Sequence, residues 1–222
     1  MDIMEAMRQR HSVRSYREIA IPQEVRGQLR AKITEANRES GLHVQLVCDE
    51  PKAFSGMRAR YGKFTGPNNY FAMVGPKGPA LDETVGYEGE KLVLLAQQLG
   101  LNTCWVGMTF TKVPSAFEVA HGEKLACVIA LGYGNTDGVA HKSKPLAELC
   151  NAGADTLEWF LAGMRAAQLA PTAVNQQKFR FDLLSDGRVR ATTAAGFFAN
   201  MDLGIAKLHF ELGAGTQNFN WA

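Results

Sequence analysis

No two of the chain's four cysteines stand at a metal-binding or redox spacing: Cys48, Cys104, Cys127 and Cys150 lie far apart and none forms a CxxC pair. His121 near Cys127 does not supply ligand spacing either, so no metal is expected, and buried free thiols in a reducing cytoplasm are the default. No apolar run approaches the roughly 18 residues that span a bilayer. The opening Met1-Asp2-Ile3-Met4-Glu5 has neither the basic start nor the apolar core of a signal peptide, so a cytoplasmic chain without a membrane partner is expected. A charge excess is missing as well. The formal net charge is +2 and the basic residues are scattered, which argues against a nucleic-acid partner. With 46% hydrophobic and 21% charged residues, the 222-residue chain suits one good core or two small ones sharing an interface.

A dinucleotide fingerprint is absent too. Gly132, Gly134 and Gly138 follow an apolar run, but their spacing is wrong and a polar, Pro-containing stretch follows instead of a helix. The densest chemistry is at the start, in Arg10-His11-Ser12-Val13-Arg14-Ser15-Tyr16. Before it, Ile3, Met4 and Met7 share one helical face. Arg10, Ser12 and Arg14 alternate, so on an extended chain they point to one side. Guanidinium forks, a hydroxyl and backbone N–H groups freed at a helix end are the donors a phosphate takes. A solvated basic turn is the competing reading, and His11 could cap or pack in that turn.

The rest alternates helix and strand. Ile21-Pro22-Gln23-Glu24 starts a helix that runs to Asn37 and ends at Ser40-Gly41. Residues 43–48 and 70–74 read as strands, with 52–69 between them as a basic loop. Residues 81–99 form the longest helix, with Leu92, Leu95, Ala96 and Leu99 at core spacing and Gly100 as its stop. Glu88 and Glu90 read as the exposed face of its start. Residues 101–107 lead into a short segment in which Trp105 reads as a core aromatic. Residues 111–121 read as a short helix and 124–134 as a buried strand.

The last third repeats this order in brief. Asp155 opens a helix through Met164, Ala167 and Leu169, Ala170-Pro171-Thr172-Ala173-Val174-Asn175-Gln176-Gln177 is a polar turn, and 178–184 is a strand. Asp186-Gly187 is a hairpin signal before 188–193. Residues 202–213 echo the 90–100 helix, with His209 as a satisfied helix residue. No linker is visible, so a fuller copy over 1–150 and an abbreviated copy over 151–222 are expected to share one core in a single unit.

Four segments make the chain resemble the nitroreductase family of flavoproteins, in its larger, partly duplicated branch. Residues 10–16 resemble the family's Arg-x-Ser-x-Arg-x-aromatic motif at the FMN phosphate and the pyrimidine edge. Gly100-Leu101-Asn102-Thr103-Cys104-Trp105-Val106-Gly107 resembles the loop beside flavin N5. Lys142 and Lys144, before Pro145-Leu146, resemble the late basic pair at the phosphate. Residues 170–177 resemble the Ala-Pro-Ser-x-x-Asn-x-Gln segment packed on the isoalloxazine. The fold implied is α+β, nitroreductase-like, with a mixed or antiparallel central sheet flanked by helices.

The resemblance implies FMN as cofactor and NAD(P)H as co-substrate, in a ping-pong hydride transfer through N5 to a nitroaromatic, quinone or similar flat small-molecule acceptor. It assigns the phosphate to Arg10, His11, Ser12, Lys142 and Lys144, and the N1–O2 side to Arg14, where a cation favours the reduced flavin. Backbone N–H groups of Val106 and Gly107 fall at N5 and O4, Thr172 and Asn175 at the ring edge, and Pro171 and Ala173 beside the ring. No side-chain acid or base is implied. In typical members the Ala-Pro-Ser-x-x-Asn segment follows the first helix and comes from a partner chain; here residues 35–41 do not carry it and the second copy does. A monomeric pseudo-dimer with a single FMN is therefore expected, with a homodimer as the alternative. Two other functions stay open: an FMN-binding or flavin-modifying protein without nicotinamide turnover, and a structural domain without flavin. Tyr70, Tyr87 and Phe110 are candidates for the acceptor pocket.

Overall fold

The computed structural model describes residues 1–153 and 156–222; Asp155, expected to open a helix, lies outside them. In chain order the elements are α1 (Ile3–Gln9), α2 (Gln23–Ser40), β1 (Gln45–Val47), α3 (Met57–Tyr61), β2 (Asn69–Pro76), α4 (Leu81–Gln98), β3 (Asn102–Val106), β4 (Glu123–Gly132), α5 (Leu146–Leu149), α6 (Glu158–Ala167), β5 (Phe179–Leu183), β6 (Val189–Thr193) and α7 (Ala199–Ala214). The fold is α+β with antiparallel sheets. Two compact units divide the chain: residues 9–81 with 92–140, and residues 1–8 with 82–91 and 141–222.

The first of these units carries a four-stranded sheet in the order β1-β2-β4-β3, every pair antiparallel. Its two middle strands read as near-continuous apolar runs because both faces are covered: residues 69–75 and 127–132 are all buried. Helix α2 stops as its sequence demands, with Gly41 left-handed at φ 70° and donating its N–H to Asn37 O. Asn37 then fixes the next element, accepting from Val44 N at 2.8 Å and donating to Val44 O at 3.0 Å.

Residues 111–121 form turns, where a helix was expected. Pro114 offers no N–H, and the Gln45 side chain clamps Glu118 by both backbone groups at 2.8 Å, which holds the segment extended. Residues 52–69 are in turn more ordered than the basic loop expected of them, since they contain α3 and a short 3₁₀ turn over Lys52–Phe54.

The second unit is built on α7, which packs on α6 and on the first half of α4. Eleven of its sixteen residues are buried, so it is apolar nearly all round, as a core helix must be. The crossing with α4 is close: a Cβ on Gly204 would overlap Glu83 O, and one on Gly86 would overlap Met201 O. Polar pairs surround that crossing, Lys207 with Glu83 at 2.8 Å and Tyr87 donating to Glu211. Glu90 and His209 are fully buried, and Glu88 nearly so. The expectation that Glu88 and Glu90 face solvent is corrected here. Glu90 accepts from His209 Nε2 at 3.0 Å and Glu88 pairs with Lys91 at 2.9 Å, so each carboxylate has a partner that makes burial tolerable. His209 Nδ1 faces Ala166 O at 3.2 Å, which satisfies the ring on both sides. Strands β5 and β6 form the expected hairpin around Asp186-Gly187, and Val189 exchanges backbone hydrogen bonds with Asn220 and Ala222 of the C-terminal segment.

Candidate cofactor site

Residues 10–16 are extended and tied on both edges. Val13 N–H donates to Thr103 O at 3.0 Å on β3; Tyr16 N–H donates to Thr65 O at 2.8 Å, and Thr65 N–H to Arg14 O at 2.9 Å. Asn135 closes the other side through Ser15 O at 2.9 Å and Ser15 Oγ at 2.8 Å. This packing explains the glycines that resembled a nucleotide fingerprint. Gly138 is left-handed at φ 75°, and a Cβ on it would meet His11 Cβ at 2.8 Å; one on Gly134 would lie 3.0 Å from Val13. They let a second segment run flush against residues 11–13.

Val13 and Tyr16 turn into the core, where the Tyr16 hydroxyl donates to Val13 O at 2.7 Å. Arg10, Ser12 and Arg14 all act on Cys104 of β3: burial pushes that thiol up, while Arg14, a hydrogen bond from Ser12 and then Arg10 oppose the rise. One short strip thus gathers two guanidiniums and a hydroxyl. Arg10 is buried to 3% exposure, whereas Arg14 stands in solvent. Burial, then the Arg10 charge, pulls His11 below its ordinary value, so the imidazole is neutral at pH 7 and can donate one N–H without adding charge. Val106 is the last paired residue of β3, opposite Val128, and Gly107 leaves the sheet with its backbone half-buried.

The other expected residues fall in the second unit. Lys142 and Lys144 lie on a strap sewn to residues 168–177. Gln177 accepts from Lys144 N–H at 2.8 Å and donates to Lys142 O at 3.0 Å; Lys144 Nζ donates to Gln177 O at 3.0 Å. Asn175 Nδ2 also donates to Lys142 O at 3.0 Å, and its Oδ1 accepts from Gln177 at 2.9 Å. The Thr172 hydroxyl accepts from Gln177 N–H at 3.1 Å. Lys142 is exposed, Pro171 is buried, and Thr172 and Ala173 are half-buried.

Within this turn Val174, Asn175 and Gln177 have φ of 47°, 55° and 43°. A β-branched residue in the left-handed region is strained by about 1–3 kcal/mol, and Val174 is 97% exposed, so packing does not hold it there. Asp202, in the first turn of α7, does: it accepts from Ala173 N–H at 2.9 Å and from Gln176 Nε2 at 2.6 Å. Burial pushes its carboxyl up to about 6, against those two hydrogen bonds. Asp202 and Gln177 were not singled out from the sequence. The available signal was an acid on the apolar stripe of a helix that is otherwise core.

The donor chemistry of residues 10–14 fits FMN, since a phosphate takes the guanidinium and hydroxyl donors of Arg10 and Ser12 and a further cation, Arg14, follows two residues on. A separate cleft of about 210 Å³, lined by Tyr16, Ile19, Asp49, Asn69 and Gly132 among others, holds none of the expected cofactor residues.

The sequence profile of the family described as "Putative TM nitroreductase" matches residues 2–214. No match is found among curated proteins. Among solved structures, one described as a "putative nitroreductase" from Thermotoga maritima has a TM-score of 0.70 at 22% identity, over 96% of this chain and 83% of that one. Another, from a Desulfovibrio desulfuricans subspecies and described as a complex with FMN, has a TM-score of 0.52 at 20% identity, over 67% and 94%. The NfrA1 nitroreductase of B. subtilis gives 0.54 at 12% identity, over 70% and 74%. At these identities the structural likeness establishes the fold, and the profile match over nearly the whole chain establishes the kinship. The chain belongs to the nitroreductase family that this profile describes.

Proposed function

We propose that this chain is an FMN-dependent oxidoreductase that passes two electrons from NAD(P)H to a nitroaromatic, quinone or similar flat acceptor. The observation that carries the reading is that residues 10–16, which hold Arg10, Ser12 and Arg14, run extended and are clamped by backbone hydrogen bonds at both edges. Family membership and the FMN named for the Desulfovibrio structure support it.

When bound, FMN supplies the two-electron redox chemistry between donor and acceptor. The chain's part is to bind and orient. Arg10 and Ser12, with neutral His11, hold the phosphate; Arg14, which is exposed, is assigned to the ring edge, where a cation favours the state that carries negative charge. Val106 and Gly107 offer backbone N–H groups at the end of β3, which is a fixed position because β3 is paired to β4 through Val106. The resemblance assigns further flavin contacts to Lys142, Lys144, Pro171, Thr172, Ala173 and Asn175, and that assignment is part of this proposal. The internal duplication and a single FMN per chain are part of the same proposal. Titration of the purified protein with FMN tests it: binding at one FMN per chain, weakened in Arg14→Ala, supports the assignment, and unchanged binding in that variant removes it.

A further inference from the structure

Helix α3 turns two apolar side chains outward. Met57 and Tyr61 are four residues apart on one face and are 87% and 86% exposed, while Ala59 between them is buried. Met108, the residue after Gly107, is 65% exposed. Single exposed hydrophobes are ordinary, but these three stand on segments fastened to each other. Thr111 N–H donates to Ala53 O at 2.8 Å. A Cβ on Gly56 would lie 3.0 Å from Thr111 Oγ1, and one on Gly62 2.7 Å from Thr109 Cβ. Gly62, the residue after Tyr61, therefore lies against Thr109, and Met108 is Thr109's chain neighbour. Tyr70, one of the aromatics the sequence left open for this role, is buried in the core against Phe54 and Phe117.

The charge around these residues has one sign. Between residues 50 and 64 stand Lys52, Arg58, Arg60 and Lys63 against Glu50 alone, and residues 107–113 add Lys112. The Glu50 carboxylate is taken up by the N–H groups of Lys52 and Ala53, both at 2.9 Å. Arg58, Arg60, Lys63 and Lys112 are all exposed.

We propose that Met57, Tyr61 and Met108 form the ledge on which the electron acceptor lies, and that this acceptor is a planar aromatic bearing an anionic group, received by Arg58 and Arg60. The inference rests on the reading above, which sets Val106 and Gly107 at the reacting edge of the cofactor; Met108 is the next residue along. Tyr61 gives a flat face for stacking, and two thioethers adapt to rings of different outline. Guanidiniums match a carboxylate or sulfonate in shape as well as charge.

The test uses FMN-loaded protein without NAD(P)H, so that binding is read without turnover. Calorimetric titration with para-nitrobenzoate and with its neutral amide compares an anionic and an uncharged ring of the same outline. The anion should bind about tenfold tighter, the order expected for one charge-assisted pair. The double variant Arg58→Gln/Arg60→Gln should erase that preference and leave the amide and FMN unaffected. Tyr61→Ala should weaken both rings by a similar factor, again with FMN affinity unchanged. Equal binding of the two rings by a protein that does bind FMN overturns this inference and leaves the FMN assignment standing. A steady-state result in which the arginine variant raises KM for NAD(P)H but not for nitrobenzoate would give the cations to the donor's phosphates and overturn it too. A parent protein that binds no FMN overturns both readings.

Discussion

The Asp202 carboxylate, buried in the first turn of α7, holds Gln176 at 2.6 Å through one oxygen and the backbone of Ala173 at 2.9 Å through the other. A single acid thereby fixes a turn whose backbone passes through the left-handed region at Val174, Asn175 and Gln177. Asp202→Ala should free that turn. Three residues with strained φ would relax, and FMN affinity should fall about tenfold if the turn meets the flavin, by the size of one charge-assisted hydrogen bond. Equilibrium FMN titration of the variant reads this directly.

The same residue sets a pH dependence. Its folded value, about 6, lies above the ordinary carboxylate value of 3.8, so the folded state binds the proton more tightly than the unfolded one. The contribution is therefore fully present below about pH 4 and is lost as the pH rises to about 6, by up to about 3 kcal/mol at 1.36 kcal/mol per unit. Denaturation in urea between pH 4 and 7 should show that slope in the parent. Asp202→Asn, which cannot ionise, should flatten it; an unchanged slope would place the titration elsewhere.

Arg14 and Arg10 should separate binding from folding. Arg14 is exposed, so Arg14→Ala should weaken FMN binding by about 1.5–3 kcal/mol with the melting temperature of the apo protein unchanged. Arg10 is buried, so Arg10→Ala should lower both. Paired measurement of FMN affinity and apo melting temperature distinguishes the two patterns.

Glu90 and His209 share a fully buried hydrogen bond. Because Ala166 O can only accept, His209 Nδ1 donates to it, and one further proton must lie between Nε2 and Glu90. Glu90→Leu alone should cost about 3–5 kcal/mol by leaving a polar ring in the core, whereas Glu90→Leu with His209→Leu should cost much less. Chemical denaturation of the single and double variants closes that cycle.

Close packing gives a further expectation. Gly138→Ala adds a Cβ at 2.8 Å from His11 Cβ and at a left-handed φ, so it should displace residues 11–13 and destabilise by about 1–3 kcal/mol. Gly122 has a positive φ but open space around it, so Gly122→Ala pays only the backbone term and is the matched control. The difference in melting temperature between the two isolates the contact.

Much of the fold was legible because its elements announce themselves locally. The β2 and β4 runs are apolar on both faces, Gly41 and Gly100 close α2 and α4, and Asp186-Gly187 turns the β5–β6 hairpin. Errors fell where a tertiary contact overrode the local pattern. Residues 111–121 carry helical spacing, but Gln45 from a distant strand fixes Glu118. Glu88 and Glu90 obey the rule for exposed helix starts, yet α7 covers that turn and His209 answers Glu90. Helix α3 was hidden because its apolar pair faces solvent. At the candidate site, the extended run of residues 10–16 was readable, and its backbone bonds to Thr103 and Thr65 tie it into the sheet unit. Asp202 was not readable, since its partners come from a turn that precedes it by some thirty residues and no short motif joins them.

The central claim is that residues 10–14 hold FMN in a working oxidoreductase. An absorbance spectrum of the purified protein, incubated with FMN, freed of excess and then mixed anaerobically with NADPH or NADH, tests it most directly. The account predicts protein-bound flavin bands at one FMN per chain that bleach on addition of a nicotinamide donor. Flavin that washes away entirely, or bound flavin that neither donor bleaches, would contradict it.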